Sequence, residues 1–393
     1  MFTILPIKGY IDQIDGFFCD GIHAGLKSNE KLDMGFIYTK EACTVAALFT
    51  ENRFQAAPLK HFLQYGEDFK TNFVLINSKN ANALTGRKGI ADINTLFSQL
   101  DFELINPVMS STGVIGNPLP MEKLIAGAKR FDLNAKNGEN LSKAIMTTDA
   151  YAKTCMYEVK LSDGSSFKIG AVAKGAGMIN PNLATMLCFI CTDAAASYAD
   201  IKEALKTNSE TTFNAISVDG DTSTNDTVMV LSNGNSKAYD KEAFIEVLRL
   251  VMHDMAMLMV ADGEGAKKVA AFEVINAVSN EQAMIAAKAL SNSLLVKTAL
   301  FGEDPNFGRI ASTIGASRID CDDEKLVISY NDVVVFNKGE ICFDVATEAK
   351  AGEVLKKDKY KIICDIGLGE GKFTAYGCDL GYKYVEINAD YRS

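Results

Sequence analysis

The chain has 393 residues, enough for about two or three domain-sized units. Hydrophobic residues make up 48% and charged residues 23%, an ordinary globular composition that excludes intrinsic disorder. Forty Lys plus Arg against 50 Asp plus Glu leave a net charge of −10, so no phosphate-neutralising face, and hence no nucleic-acid partner, is expected.

In chain order, Met1 to Pro6 has no basic region and too short an apolar run for a signal peptide. A cytoplasmic location with no membrane contact is therefore expected. Short apolar runs at Met34–Tyr38 and Asn72–Ile76 alternate with Gly/Asn-rich turns, and Leu124, Ala128 and Phe131 give Met121–Phe131 helical spacing. Alternation over Tyr157–Ile169 about Ser162-Asp163-Gly164-Ser165 predicts a hairpin. A Gly/Pro/Asn-rich stretch, Lys174–Asn182, then enters an apolar strand over Ala184–Cys191.

Helices are expected over Tyr198–Thr212, Asp240–Ala261 and Glu281–Ser291, the second ending at the stop signal Asp262-Gly263. Phe244–Ala261 is the most hydrophobic stretch, but Glu246, Arg249, His253 and Asp254 interrupt it, which suits a buried helix rather than a membrane span. His253 reads as a satisfied core histidine. Beyond Ser317 strands are predicted at Leu326–Tyr330, Val333–Phe336, Tyr360–Cys364 and Tyr382–Ile387, a sheet-rich subdomain beginning near residue 280. Because strands cluster instead of alternating strictly with helices, the expected class is α+β.

Nine scattered cysteines are odd in number and too sparse for a disulfide framework. Cys188 and Cys191 form a CxxC inside an apolar run with no second ligand pair, so they read as buried thiols and no metal site is expected. Gly367-Leu368-Gly369-Glu370-Gly371-Lys372 imitates a phosphate loop, but Ile366 stands where the motif needs glycine and Phe373 where it needs a hydroxyl. It reads as a turn between strands. With three histidines in the whole chain, a His-based triad is hard to assemble.

Thr185 follows the Gly/Pro/Asn loop at the mouth of an apolar strand. A threonine hydroxyl without a base is a weak nucleophile, and taken alone this is an ordinary strand residue. Cleavage of the Ala184–Thr185 bond would change that. The freed α-amine, with a pKa of about 7.7–8.0, would supply a general base.

Several motifs occur in one order along the chain. They are Ser111-Thr112-Gly113-Val114-Ile115-Gly116, Thr147-Thr148-Asp149, Lys174–Met186, Asp219–Thr227, Asp262-Gly263-Glu264-Gly265-Ala266, Gly302–Asn306 and Ile387–Ser393. Together they resemble the ornithine acetyltransferase (glutamate N-acetyltransferase) family of arginine biosynthesis, over essentially the whole chain. The resemblance implies a layered α/β/β/α sandwich of the N-terminal-nucleophile-like type. It implies self-cleavage between Ala184 and Thr185 into an α chain of 1–184 and a β chain of 185–393, associated as an α2β2 heterotetramer.

It further implies that Thr185 carries acetyl from N2-acetyl-L-ornithine to L-glutamate, with Thr112 and Gly113 as oxyanion donors. Substrate contacts carry over to Thr147, Lys174, Thr185, Glu264, Asn388 and Ser393. No cofactor is implied, although some members take acetyl-CoA as a co-substrate. Asp219–Thr227 reads as a supporting loop, since its carboxylates lack an obvious metal geometry. The chain departs from the family pattern at Lys79, Phe307 and Ser393, where glycine, tryptophan and threonine are common. Two other readings stay open: an autoprocessed amidase or aminopeptidase that releases the acyl group to water, and an uncut small-molecule-binding protein.

Overall fold

The structure, a computed structural model, describes residues 1–180 and 186–390. Ala184, Thr185 and Ser393, three of the residues singled out above, lie outside the described residues. The strands are β1 (Phe2–Ile7), β2 (Phe17–Ile22), β3 (Met34–Phe49), β4 (Lys70–Asn77), β5 (Val108–Ser111), β6 (Lys153–Leu161), β7 (Ser166–Lys174) and β8 (Leu187–Thr192). They continue with β9 (Ile216–Ser217), β10 (Thr227–Ser232), β11 (Val269–Ala277), β12 (Val327–Tyr330), β13 (Val333–Asn337), β14 (Glu340–Ile341), β15 (Lys359–Asp365) and β16 (Gly371–Cys378). The helices are α1 (Ala57–Leu63), α2 (Gly86–Ser98), α3 (Met121–Ala128), α4 (Gly138–Ala144), α5 (Tyr198–Ser209) and α6 (Lys241–Ala261). After them come α7 (Asn280–Asn292), α8 (Leu294–Phe301), α9 (Phe307–Ala316), α10 (Val345–Leu355) and α11 (Tyr382–Ala389).

Two compact units result. The N-terminal one takes in residues 1–175, the described part of 181–214, and 222–256. Its nine-stranded sheet runs β1-β6-β7-β8-β10-β3-β4-β5, with β2 added beside β3. Side chains alternate across the sheet, so each strand feeds two cores. Phe73 and Leu75 of β4 join Phe36, Ile93, Leu96, Leu124 and Ala128 on one face. Val74 and Ile76 point the other way, to Ile37, Leu141, Ile145, Val172 and Phe189. The strand β8 pairs antiparallel with β7 and parallel with β10, and all six of its residues are buried. A strand enclosed on both faces and both edges has no polar side, which explains its unbroken apolar run. The expected hairpin is β6–β7, turning at the four residues named for it.

The C-terminal unit comprises residues 176–180, 215–221 and 257–393, described as far as 390. Its longest segment starts at Met257, and β11 is an inner strand of its seven-stranded sheet, paired with β15 and β16. The sheet order is β14-β13-β12-β15-β11-β16-β9. Ala283, Ala286, Ala287 and Leu290, at helical spacing on α7, share a core with Ile310 and Ile314 of α9, Val354 and Leu355 of α10, and Phe272, Val274, Ile328 and Ile362 of the sheet. Gly367–Glu370 lies in the turn between β15 and β16, with Gly367 at φ 67°. Both units mix helices with sheets whose pairs are mainly antiparallel, the α+β class expected from the sequence.

Two expectations change. Tyr382–Ile387 is not a strand but most of helix α11. Tyr, Val and Ile favour strands, yet the segment starts after Gly381 and closes helical i,i+3 and i,i+4 contacts: Lys383 pairs with Glu386 at 2.8 Å, and Asn388 Nδ2 donates to the Tyr384 carbonyl at 3.0 Å. Between the expected strands the C-terminal tail also holds a helix, α10, that the sequence reading did not place. Asp344 caps it, accepting from Thr347 N at 2.7 Å. No single helix among the described residues is long and apolar enough to cross a membrane.

Cys188 and Cys191 are fully buried in β8, and burial pushes both thiols up. Cys321 is exposed. A polar thiol reagent should therefore modify Cys321 in the native protein and leave Cys188, Cys191, Cys364 and Cys378 unmodified until denaturant is added. Peptide mass spectrometry reads the outcome, and native labelling at Cys188 would contradict the buried-strand placement.

Candidate active site

Within the N-terminal unit, β5 leads directly into two candidate residues and β7 ends on a third. Beyond β5 the chain passes Thr112 and Gly113, and β7 ends at Lys174. Lys174 Nζ donates to Thr112 Oγ1 at 3.2 Å, and both side chains are buried. An ammonium has no acceptor capacity, so this contact uses an oxygen lone pair and leaves the Thr112 hydroxyl proton free to be donated elsewhere. The Thr112 backbone N–H is already taken by the Asn77 carbonyl at 3.0 Å. Among the described residues Gly113 N–H donates to no acceptor. Two donors, one hydroxyl and one peptide N–H, thus stand on consecutive residues.

Gly113 is required by its surroundings. It sits at φ 131°, and a Cβ there would meet the Lys79 carbonyl carbon at 2.2 Å and Asn80 N at 2.6 Å. Lys79 itself adopts φ 73°, the left-handed region that favours glycine. Asn225, from the run read as a supporting loop, donates to the Ala81 and Ser111 carbonyls at 2.6 and 2.8 Å, bracing the turn from behind.

Asp149 ties Thr147 to the end of β7. Its carboxylate accepts from Thr147 N at 2.9 Å, Gly175 N at 2.7 Å and Lys153 Nζ at 2.7 Å. Burial alone would raise its pKa, but the charges of Lys174 and Lys153 and these hydrogen bonds outweigh that and hold it at about 2. Lys27 Nζ adds donations to the Met146 carbonyl at 2.9 Å and the Leu32 carbonyl at 2.7 Å, and burial lowers its pKa to about 8. Sequence reasoning quoted Asp149 only as part of a motif and missed Lys27 and Lys153. A charged residue in an otherwise small polar stretch was the available signal for Asp149, and nothing local marked the two lysines.

The C-terminal unit brings together Glu264 and Asn388. Asn388 Nδ2 donates to Glu264 Oε2 at 2.6 Å, and Glu264 N donates to the Ala176 carbonyl at 2.8 Å. The Glu264 carboxyl lies over Gly177, where any Cβ would fall 2.5 Å from its Cδ. Asp219 accepts from Met178 N at 2.6 Å and Ile179 N at 2.9 Å. No group of three His, Cys, Asp or Glu side chains placed to hold a metal occurs among the described residues.

The low Asp149 pKa has a stability consequence. A carboxyl depressed from its usual 3.8 to about 2 stabilises the fold at pH values above about 4, and that contribution is lost as pH falls toward 2. Asp149→Asn should lose this part of the acid dependence. It should also be less stable at neutral pH by roughly 3–5 kcal/mol, because a neutral amide replaces the charged acceptor that the buried Lys153 ammonium meets at 2.7 Å. Denaturant titrations of both proteins from pH 7 to pH 2 measure the difference.

Residues 18–393 match the ArgJ family. The chain is 57% identical over 396 residues to the arginine biosynthesis bifunctional protein ArgJ of Wolinella succinogenes, covering 100% of each chain. It is 40% identical over 404 residues to the protein of that name from Caldanaerobacter subterraneus subsp. tengcongensis, covering 98% of this chain and 99% of that one. Among solved structures, the ArgJ crystal structure from Bacillus halodurans shares 38% identity, with a TM-score of 0.48, covering 50% of this chain and 95% of that chain. On this full-length similarity, the chain belongs to the ArgJ family.

Proposed function

We propose that this chain transfers acetyl from N2-acetyl-L-ornithine to L-glutamate through an acetyl-Thr185 intermediate, after cutting itself between Ala184 and Thr185. The observation that carries the reading is the end-to-end similarity to curated arginine biosynthesis bifunctional proteins. The local geometry supports it. Formation and breakdown of an acyl-threonine pass through tetrahedral intermediates whose oxygen carries negative charge. The adjacent Thr112 hydroxyl and Gly113 N–H are donors suited to that charge, and the Lys174 ammonium polarises the hydroxyl.

In maturation, Thr185 Oγ attacks the Ala184 carbonyl and the peptide nitrogen becomes an amine as an ester forms. Water hydrolyses the ester, leaving residues 1–184 and 185–393. In turnover, the α-amine of Thr185 takes the hydroxyl proton as Oγ attacks the acetyl carbonyl, then returns it to the departing ornithine amine. The glutamate amine attacks the acetyl ester and regenerates Thr185. The Lys174 ammonium suits a substrate α-carboxylate and the Glu264 carboxylate suits a side-chain ammonium, with Thr147, Asn388 and Ser393 as short polar contacts. The reaction needs no cofactor, and acetyl-CoA serves as an additional acetyl donor. The mature protein is a cytoplasmic α2β2 heterotetramer.

Intact mass spectrometry of purified protein should show two chains summing to the precursor plus one water. Thr185→Ala should give one uncut, inactive chain. Acetyl-labelled acetylornithine incubated with glutamate should yield labelled acetylglutamate. Label appearing as free acetate would support the amidase reading instead, and wild-type turnover by Thr185→Ala would exclude Thr185 as nucleophile.

A further inference from the structure

The five residues that precede Pro181, and so lead toward the proposed cleavage bond, are each held by groups of the C-terminal unit. The Ala176 carbonyl accepts from Glu264 N, and Gly177 lies under the Glu264 carboxyl. Met178 and Ile179 N–H donate to Asp219, and the Ile179 carbonyl accepts from Val218 N at 2.7 Å and Ser217 Oγ at 3.1 Å. Asn180 Nδ2 donates to the Gly220 carbonyl at 3.1 Å while its Oδ1 accepts from Asn292 Nδ2 at 3.2 Å. Glu264 and Asp219 therefore carry most of the frame, and helix α11 touches both.

No residue of α11 is buried, and Tyr382 and Val385 stand well exposed. Hydrophobic burial therefore contributes little to docking this helix, and specific contacts must fix its position. Tyr384 Oη donates to Asp219 Oδ2 at 3.2 Å and Asn388 Nδ2 donates to Glu264 Oε2 at 2.6 Å. The approach is close: a Cβ on Gly265 would lie 2.9 Å from Tyr384 N and 2.6 Å from Lys383 Cβ.

We infer that Tyr384 is a positioning residue for self-cleavage: its hydroxyl fixes the Asp219 carboxylate that holds Met178 and Ile179, and so sets the backbone that enters the cleaved segment. This rests on the self-cleavage proposed above. Asp219 receives no salt-bridging cation among the described contacts, and burial already pushes its pKa up. Each donor that stabilises the anion therefore matters, since a protonated carboxyl would offer poorer acceptors to the loop N–H groups. Asp221, Glu264 and Cys378 are the other titratable groups electrostatically linked to the Tyr384–Asp219 pair.

The test uses full-length precursor from cell-free translation, with cleavage followed by denaturing gel and intact mass. Tyr384→Phe keeps the ring and removes only the donor. Loss of one charge-assisted hydrogen bond should slow cleavage about tenfold. It should also move the acid limb of the cleavage pH profile to higher pH, because Asp219 loses a donor that favours its charged form. Val274→Ala, a truncation in the core of the same unit, should lower the unfolding temperature at least as much and cleave at the wild-type rate. If wild type cleaves and Tyr384→Phe matches its rate and pH profile, the positioning role is wrong. If Val274→Ala slows cleavage as much as Tyr384→Phe, the effect is general stability and the inference also falls. An uncut wild-type chain would overturn the self-cleavage reading itself, and this inference with it.

Discussion

A carboxylate removed from water must be surrounded by donors, and the Asp149 carboxylate meets that demand with one ammonium and two peptide N–H groups. The choice of donors organises the candidate site. One N–H belongs to Thr147 and the other to Gly175, directly after Lys174, so a single buried charge holds two otherwise independent loops. Lys174 then reaches Thr112, and Gly113 follows in a backbone conformation closed to any side chain. Asp149, Lys153, Lys174 and Thr112 are buried, and Gly113 is sterically confined. Such a shell suits chemistry in which donors must already point at a charge before it develops.

The C-terminal unit repeats the device with different residues. Asp219 gathers the N–H groups of Met178 and Ile179, and Glu264 meets Asn388 above a glycine that has no room for a side chain. Both carboxylates sit in stretches of small polar and glycine residues that packing alone would not favour. At Glu264, Gly177 permits the close approach and the acid supplies the acceptor.

Much of this was legible in the sequence. Long periodic helices such as α6 and α7, and the enclosed strand β8, were visible because burial imposes a pattern along the chain. The motifs carrying Thr112, Gly113, Lys174 and Glu264 stood out because small polar residues beside glycines are unusual in segments chosen for packing. Helix α11 was misread because its strand-favouring residues are solvent-exposed and its helicity depends on contacts that local propensity does not encode. The pairing of Lys174 with Thr112 spans 62 residues, and that of Asn388 with Glu264 spans 124. Only folding brings such partners together, so neither could be read from spacing.

The burial of β8 bears on the order of events in maturation. Its neighbours are β7, which precedes the proposed cut, and β10, which follows it. A break before Thr185 would thus fall two residues ahead of an interior strand, and the two products would share one continuous hydrogen-bonded sheet. Neither piece could complete that sheet alone, since each would expose an unpaired edge of apolar residues. Folding must then come first and scission second. The finished protein would be two polypeptides that were never separate molecules, joined by a ladder whose opening amounts to unfolding the domain.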